Sequence, residues 1–176
     1  FIEERRKDLA GIVVTHAHED HLGAVADLWP RLKAPVYATP FAASVLKRKL
    51  RDAGLFDVVP VTEIPLGGKF RVGPFELEMI TMTPSIPEPN ALAIRTRLGT
   101  VFHTGDWKID PDPLLGELTD EARLKQIGEE GARLTGHDRD ARREGEVPSP
   151  EISAAARRSA NRRTLNSRRD SCIFVR

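Results

Sequence analysis

The sequence predicts an α/β domain of the mixed α+β kind, and three observations carry that prediction. A continuous apolar run at residues 9–15 precedes a polar loop and then apolar residues at helical spacing. A second strand and helix follow at residues 35–53. Beyond Gly54 the apolar period falls from about 3.6 to 2, which is typical of strands. At 176 residues the chain has room for one ordinary domain with a real core.

The first half of the chain is predicted to hold two strand and helix units. Residues 9–15 are too continuously apolar for a half-exposed strand, so we expect a buried one. A helix is expected over residues 21–29, with Pro30 stopping it. A strand at 35–38 leads into a helix over 39–53, because Thr39-Pro40 supplies an N-cap and a first-turn proline.

Strands dominate the next part. Residues 75–79 alternate apolar and polar side chains, and residues 91–96 and 100–104 read as a hairpin around Arg97-Leu-Gly99. The second hairpin strand delivers Gly105-Asp106 at its end. A last helix is predicted to open with Thr119 as its cap and to close near Gly131.

The charge pattern predicts two regions, a domain over residues 1–131 and a tail over 132–176. The first holds 16 Lys or Arg against 20 Asp or Glu, whereas the second holds 11 Arg, no Lys and 6 Asp or Glu. The tail has few large apolar residues, so we expect it to be disordered or poorly packed. A basic RNA-binding arm and the product of a reading-frame shift are the alternatives.

Composition excludes several classes. No apolar run approaches 18 residues, so a membrane-spanning role is excluded. The single Cys172 excludes an internal disulfide framework and a Cys-rich zinc module, and without a signal-peptide pattern the expected compartment is the cytoplasm. The chain begins with Phe1 rather than Met, and we interpret it as a fragment.

The string Thr15-His-Ala-His-Glu-Asp-His21 is the strongest chemical signal. Imidazole and carboxylate ligands together favour Zn²⁺ or Mn²⁺ over Ca²⁺ or Mg²⁺. In an extended turn His16 and His18 point the same way and can bind one ion, while Asp20 and His21 can face a neighbouring ion. Such a pair generates a nucleophile at neutral pH and holds the oxygens of a phosphodiester. The alternative is a set of surface histidines or an adventitious metal site.

Asp106 is the second candidate, because it follows an apolar strand and is well placed to bridge two ions. His103 is expected to be a core histidine or a partner of a ligand, rather than a ligand. Lys108 and Asp110 are expected to form a local ion pair. His137, in the tail, is not expected to bind metal.

The string Thr15-His-Ala-His-Glu-Asp-His-Leu-Gly-Ala24 resembles the signature of the metallo-β-lactamase superfamily. Five further blocks resemble ribonuclease J, the bacterial β-CASP ribonucleases of that superfamily. They are Asp27-Leu-Trp-Pro30, Pro35-Val-Tyr-Ala-Thr-Pro40, Ser85-Ile-Pro-Glu-Pro-Asn90, Ile94-Arg-Thr96 and Val101-Phe-His-Thr-Gly-Asp-Trp-Lys-Ile-Asp110.

The resemblance implies part of a four-layer αββα metallo-β-lactamase fold with two Zn²⁺ ions. It implies RNA as substrate, cut endonucleolytically and from the 5′ end in mRNA decay and rRNA maturation, by homodimers or homotetramers. His16 and His18 would bind the first zinc, and Asp20 and His21 the second. Asp106 would bridge them, and Asp20 would also act in catalysis by orienting the nucleophile.

The sequence departs from that family in three places. Pro84 stands where the family has a histidine ligand of the first zinc, and proline offers no donor atom there. The family's early strands, before Phe1, are absent. Gly136-His-Asp-Arg-Asp140 replaces an expected Asp-Ser-Thr-Asn block, and we expect the 176 residues to hold neither the β-CASP domain nor the C-terminal domain. We therefore expect this chain alone to be inactive or nearly so.

Two other functions stay open. A small-substrate hydrolase of the same fold, such as a thioesterase or lactonase, shares the His-x-His-x-Asp-His string. A non-catalytic remnant, holding at most one metal or binding RNA through its basic tail, fits Pro84 and the Arg-only tail.

Overall fold

Two β-sheets lie face to face between layers of helices in the computed structural model, which describes residues 2–83, 86–106, 112, 116–135 and 173–175. After a 3₁₀ segment at Glu3–Asp8, the elements are β1 (Gly11–Val14), α1 (Glu19–Leu22), α2 (Val25–Leu32), β2 (Val36–Ala38), α3 (Pro40–Asp52), β3 (Val61–Glu63), β4 (Lys69–Val72), β5 (Phe75–Thr81), β6 (Asn90–Thr96), β7 (Gly99–His103), α4 (Glu121–Glu129), β8 (Arg133–Thr135) and β9 (Ile173–Val175).

The strands form a four-stranded and a five-stranded sheet. In the first the order is β3-β2-β1-β9, with β1, β2 and β3 parallel and β9 antiparallel to β1. In the second the order is β4-β5-β6-β7-β8, with β4 to β7 antiparallel in succession and β8 parallel to β7. The predicted hairpin is therefore confirmed, with Thr96 paired to Gly99 across its turn.

Three apolar clusters define four layers. The first joins the four-stranded sheet to α2 and α3 through residues such as Val36 and Leu46. The second lies between the sheets and includes Val13 and Met79. The third joins the five-stranded sheet to α4 through Ile127. The order of layers is helix, sheet, sheet, helix, which confirms the αββα arrangement.

β1 shows why its sequence is a continuous apolar run. Its Ile12 and Val14 belong to the helix-side cluster, whereas Val13 belongs to the cluster between the sheets. A strand covered on both faces has no position for a polar side chain, since alternate residues enter different cores. The predicted buried strand is confirmed, and it ends immediately before Thr15 and His16.

The helical prediction after β1 is wrong in two respects. The expected single helix over 21–29 is split into α1 and α2, and α2 continues past Pro30 to Leu32. Pro30 lies in the last turn, where it removes one backbone hydrogen bond while Trp29 and Leu32 remain buried. Lys33, with φ of 52°, ends the helix, and its N–H donates to the Trp29 carbonyl at 2.7 Å.

α3 has nearly its predicted bounds, but the predicted cap by Thr39 is wrong, since its side chain makes no cap hydrogen bond. α4 departs from its predicted start. Gly54, with φ of 69°, follows α3 in the left-handed conformation that favours glycine. α4 is capped by Asp120, whose Oδ1 accepts from the Arg123 N–H at 2.9 Å, and not by Thr119. The Thr119 hydroxyl instead accepts from the Thr83 N–H at 2.8 Å, because that distant contact competes with the local cap.

Most of the tail predicted for residues 132–176 lies outside the described residues. Within it, β8 and β9 each pair with one of the sheets. Cys172 and His137 lie outside the described residues, as do Lys108 and Asp110. In the described part of the chain, no helix combines the length and the apolar character needed to cross a membrane.

Candidate metal centre

Four candidate side chains come together where β1 and β7 end. His16 and His18 follow β1 in the four-stranded sheet, and His21 lies on α1. Asp106 follows β7 in the five-stranded sheet, 85 residues beyond His21. The centre is therefore assembled from both sheets, as the sequence predicted for the histidine cluster and Asp106.

One oxygen of Asp106 and two imidazole nitrogens form a small triangle. His16 Nε2 and His18 Nδ1 are 3.1 Å apart, and they lie 3.4 and 3.2 Å from Asp106 Oδ2. Two ligands of a tetrahedral metal at about 2.0 to 2.2 Å are separated by roughly 3.3 to 3.6 Å. The triangle thus has nearly the edge lengths of a zinc coordination shell, and these three residues fit an ion.

The other oxygen of Asp106 faces the third histidine. Oδ1 lies 3.1 Å from His21 Nε2, and the rings of His21 and His16 have centroids 3.9 Å apart. The two oxygens of one carboxylate thus serve different histidines. A carboxylate in that arrangement is suited to bridging two ions.

Asp20 occupies a different place from the others. It lies in the first turn of α1 beside His21, and its side chain is exposed. It is not part of the group formed by His16, His18 and Asp106. Its role as a ligand and in catalysis, expected from the sequence, therefore stays a prediction.

The electrostatics of the centre favour a carboxylate at Asp106 and a neutral imidazole at His16. Burial raises the pKa of Asp106, but hydrogen bonds from His16 and His21 outweigh it and hold that pKa well below its usual range. Burial lowers the pKa of His16, although its hydrogen bond to Asp106 works in the other direction. A neutral imidazole keeps the lone pair that a metal requires.

Two neighbours orient these groups. The Thr15 hydroxyl lies 3.0 Å from His16 Nδ1, so it holds the ring by the nitrogen that faces away from Asp106. His103 accepts the Gly105 N–H at its Nδ1 over 2.9 Å, in the turn that carries Asp106. Burial and the nearby charge of His21 lower the pKa of His103 to about 4. His103 is not part of the group formed by His16, His18 and Asp106, and its expected role as a core histidine or a partner of a ligand stays a prediction.

Gly105 permits the turn that presents Asp106. Its φ is 62°, and a Cβ at this position would lie 2.7 Å from the Asn90 carbonyl oxygen. Both the left-handed backbone and the close approach require glycine here. The contact also identifies Asn90 as a neighbour of the centre, a role that the sequence did not indicate.

The expected loss of a ligand at Pro84 concerns a residue outside the described part of the chain. The neighbouring Ile86 is half-buried against the helix-side core, and Asn90 begins β6. The consequence of Pro84 for the first metal site therefore stays a prediction.

Comparison with known proteins identifies the class. A family model described as the beta-lactamase superfamily domain matches residues 2–127. The chain belongs to this superfamily. A solved metallo-beta-lactamase HARLDQ motif mutant of Cronobacter sakazakii aligns with a TM-score of 0.51 at 16% identity, covering 90% of this chain and 74% of that one. That likeness confirms the metallo-β-lactamase fold.

Its relatives among curated proteins include ribonucleases. The chain is 53% identical over 150 residues to "Ribonuclease J" of Sinorhizobium meliloti, covering 85% of this chain and 27% of that protein. It is 37% identical over 163 residues to "Ribonuclease J" of Helicobacter pylori, covering 89% of this chain and 23% of that protein. The chain thus spans about a quarter of the length of these relatives.

Proposed function

We propose that this chain is the N-terminal part of a metal-dependent ribonuclease of the ribonuclease J kind, which hydrolyses RNA phosphodiesters. The observation that carries the proposal is the convergence of His16, His18 and His21 on the two oxygens of Asp106. The 53% identity to a protein named Ribonuclease J supports RNA as the substrate.

The side chains allow two metal positions. His16, His18 and Asp106 Oδ2 would hold the first ion, and the imidazole-rich set favours zinc. His21, Asp106 Oδ1 and Asp20 would hold the second, with Asp106 shared between them. Thr15 would keep His16 in the tautomer that offers Nε2 to the ion.

When bound, a pair of such ions supplies an activated nucleophile and neutralises charge on a phosphodiester. The protein's own groups orient that chemistry. Asp106 is held as a carboxylate by its histidine partners, and the exposed Asp20, in the first turn of α1, is proposed to orient the attacking group. His103 holds the Gly105 turn and keeps Asp106 in place.

The proposal extends to the partners and the compartment. RNA processing, both endonucleolytic and from the 5′ end, belongs to the proposed activity of the complete protein, with assembly into dimers or tetramers. The single Cys172 supports a reducing cytoplasm. Because Pro84 stands at an expected ligand position, we propose that this chain alone holds the first ion weakly.

A graft tests the activity. Residues 1–131 would replace the matching segment of the Sinorhizobium meliloti relative, with Pro84→His included, and be compared with the parent on 5′-monophosphorylated RNA. We expect zinc-dependent cleavage that is lost on Asp106→Asn and kept on the exposed Asp57→Asn. An inactive graft that binds two zinc ions would contradict RNA as the substrate. Thioester turnover by the original chain would indicate a small-substrate hydrolase instead.

Measuring the bound metal tests the remaining alternative, that the chain is a non-catalytic remnant. Elemental analysis of the original chain after dialysis against micromolar zinc should find bound zinc that Asp106→Asn removes. A chain that holds no zinc with or without Pro84→His is a non-catalytic remnant.

A further inference from the structure

Asn90 is a fully buried polar residue at the first position of β6, and it contacts both segments that carry the metal centre. Its Nδ2 donates to the Glu88 carbonyl at 2.8 Å and, over 3.4 Å, to the Thr15 carbonyl. Thr15 directly precedes His16. The side chain of Asn90 thus ties the end of β1 to the segment before β6, across 75 residues of sequence.

The backbone of Asn90 supports the other half of the centre. A Cβ on Gly105 would lie 2.7 Å from the Asn90 carbonyl oxygen, so the turn that presents Asp106 packs directly on this carbonyl. One residue therefore contacts the segment of His16 with its amide and the segment of Asp106 with its main chain.

The segment before Asn90 is itself anchored. Glu88 has a φ of 56°, and its carboxylate accepts the Phe41 N–H at 2.8 Å, in the first turn of α3. This carboxylate caps the helix in place of Thr39, whose hydroxyl has no hydrogen-bond partner in the part of the chain that the structure describes. The Glu88 carbonyl that accepts from Asn90 is therefore held against a rigid element.

We propose that Asn90 is a positioning residue for the metal centre, which holds the His16 segment and the Asp106 turn in register across the two sheets. The proposal rests on the proposed function in one respect only, which is that the centre binds a metal ion. The donor end of the amide does the positioning, since both partners of Nδ2 are carbonyl oxygens and Oδ1 has no partner within the described residues.

The nearly isosteric Asn90→Asp tests this directly, because it replaces both donated hydrogen bonds with an oxygen facing two carbonyl oxygens. In the metal-free chain with ¹⁵N-labelled histidine, we expect the ring signals of His16 to shift. Zinc affinity, measured by competition with a chromophoric chelator, should fall by about 10- to 100-fold.

Glu78→Gln is the matched control. It also removes a buried charged or polar partner, but Glu78 pairs with Arg95 and Arg123 rather than with the histidines. It should lower the midpoint of unfolding while leaving the His16 signals and the zinc affinity within about twofold of the original. A purely structural role for Asn90 would make the two variants indistinguishable in these readouts, which would overturn the proposal.

Glu88→Ala covers the case in which Asn90→Asp does not fold. It removes the carboxylate that anchors the segment and should shift the same histidine signals, with a smaller loss of zinc affinity. Unchanged signals in a folded Glu88→Ala chain, together with an unfolded Asn90→Asp chain, would also overturn the proposal. If the original chain binds no zinc, the proposed function fails, and the metal-free signals alone decide the role of Asn90.

Discussion

The side chain of Asp106 contacts all three histidines of the candidate metal centre. It lies within 3.1 to 3.4 Å of nitrogens on three histidines and is held as a carboxylate by hydrogen bonds from two of them. Among the residues that the structure describes, its ion-pair partners are these three histidines. A divalent ion between these groups would satisfy the carboxylate and leave the imidazoles neutral.

Gly105→Ala should disturb the centre more than an ordinary glycine substitution does. Gly105 combines a φ of 62° with a Cβ position 2.7 Å from the Asn90 carbonyl oxygen, whereas Gly54 has a φ of 69° and open space around it. Gly54→Ala should therefore cost about 1 to 2 kcal/mol in the free energy of unfolding, from backbone strain alone. Gly105→Ala should cost more and also weaken zinc binding. Denaturant unfolding and zinc titration of both variants measure this; equal effects would mean that the close contact carries no strain.

Pro84→His should raise zinc affinity by at least about tenfold, because it restores an imidazole at the position where the family resemblance places a ligand. The control is Pro87→His, since Pro87 is an exposed proline of the same segment. Competition with a chromophoric chelator measures both affinities. An unchanged affinity for Pro84→His would show that residue 84 does not face the first ion.

The histidine string and Asp106 could be predicted from the sequence because their chemistry is local and each follows a recognisable strand. Asn90 could not, since its two amide contacts are to carbonyl oxygens that any residue offers, one of them 75 positions away. The burial of Glu78 could not be predicted from the sequence either. In the sequence it occupies a polar position of an alternating strand, and only the packing of α4 shows that the position is buried.

At the level of elements, α4 is fastened to the five-stranded sheet by charge as well as by apolar contact. Arg123 donates to both oxygens of Glu78 at 2.7 and 2.8 Å, and Arg95 of β6 lies 2.7 Å from the same carboxylate. The hydrogen bonds from Arg123 and those from Arg95 outweigh burial and lower the pKa of Glu78 from 4.5 to about 2.

This shift predicts acid sensitivity. A carboxyl with a lowered pKa in the folded state stabilises the fold above its unfolded pKa and loses that contribution as the pH falls towards its folded pKa. Glu78 should thus contribute about 3 kcal/mol at neutral pH, lost between about pH 5 and pH 2. In Glu78→Gln, the free energy of unfolding should be lower at pH 7 and depend less on pH. Urea unfolding across that range tests it, with the exposed Glu76→Gln expected to change stability by less than about 1 kcal/mol.

The helices show where tertiary packing overrides the local sequence signals for helix ends. α3 could be predicted because its proline, apolar spacing and terminal glycine all agree. α2 runs through Pro30 because Trp29 and Leu32 are buried on either side of it, and that burial outweighs one lost hydrogen bond. The predicted cap of α4 failed for a similar reason, since Thr119 is bound to Thr83 across the fold.

At the scale of the whole molecule, the two edge strands β8 and β9 bear on where the domain ends. The charge pattern predicts that the domain ends at Gly131, yet β8 pairs with β7 and β9 pairs with β1. β1 is also the strand that delivers His16. Its hydrogen-bonding edge opposite β2 is covered by β9 in the structure, so the end of the chain bears on the element that carries the centre.

Removal of residues 132–176 tests whether the domain ends at Gly131 or includes the strands that follow. If β9 covers β1 in solution, the shortened chain leaves that edge of β1 unpaired, and an exposed edge strand loses both hydrogen bonds and protection from solvent. Amide hydrogen exchange should then be faster in Gly11–Val14, with little change in the interior of α3, and the midpoint of denaturant unfolding should fall. Unchanged exchange in β1 would show that β9 does not protect this edge of β1. Zinc affinity of the shortened chain adds a further readout, because β1 would lose β9 and β7 would lose β8. Freer motion at the ends of β1 and β7 should weaken the hold of His16, His18 and Asp106 on an ion.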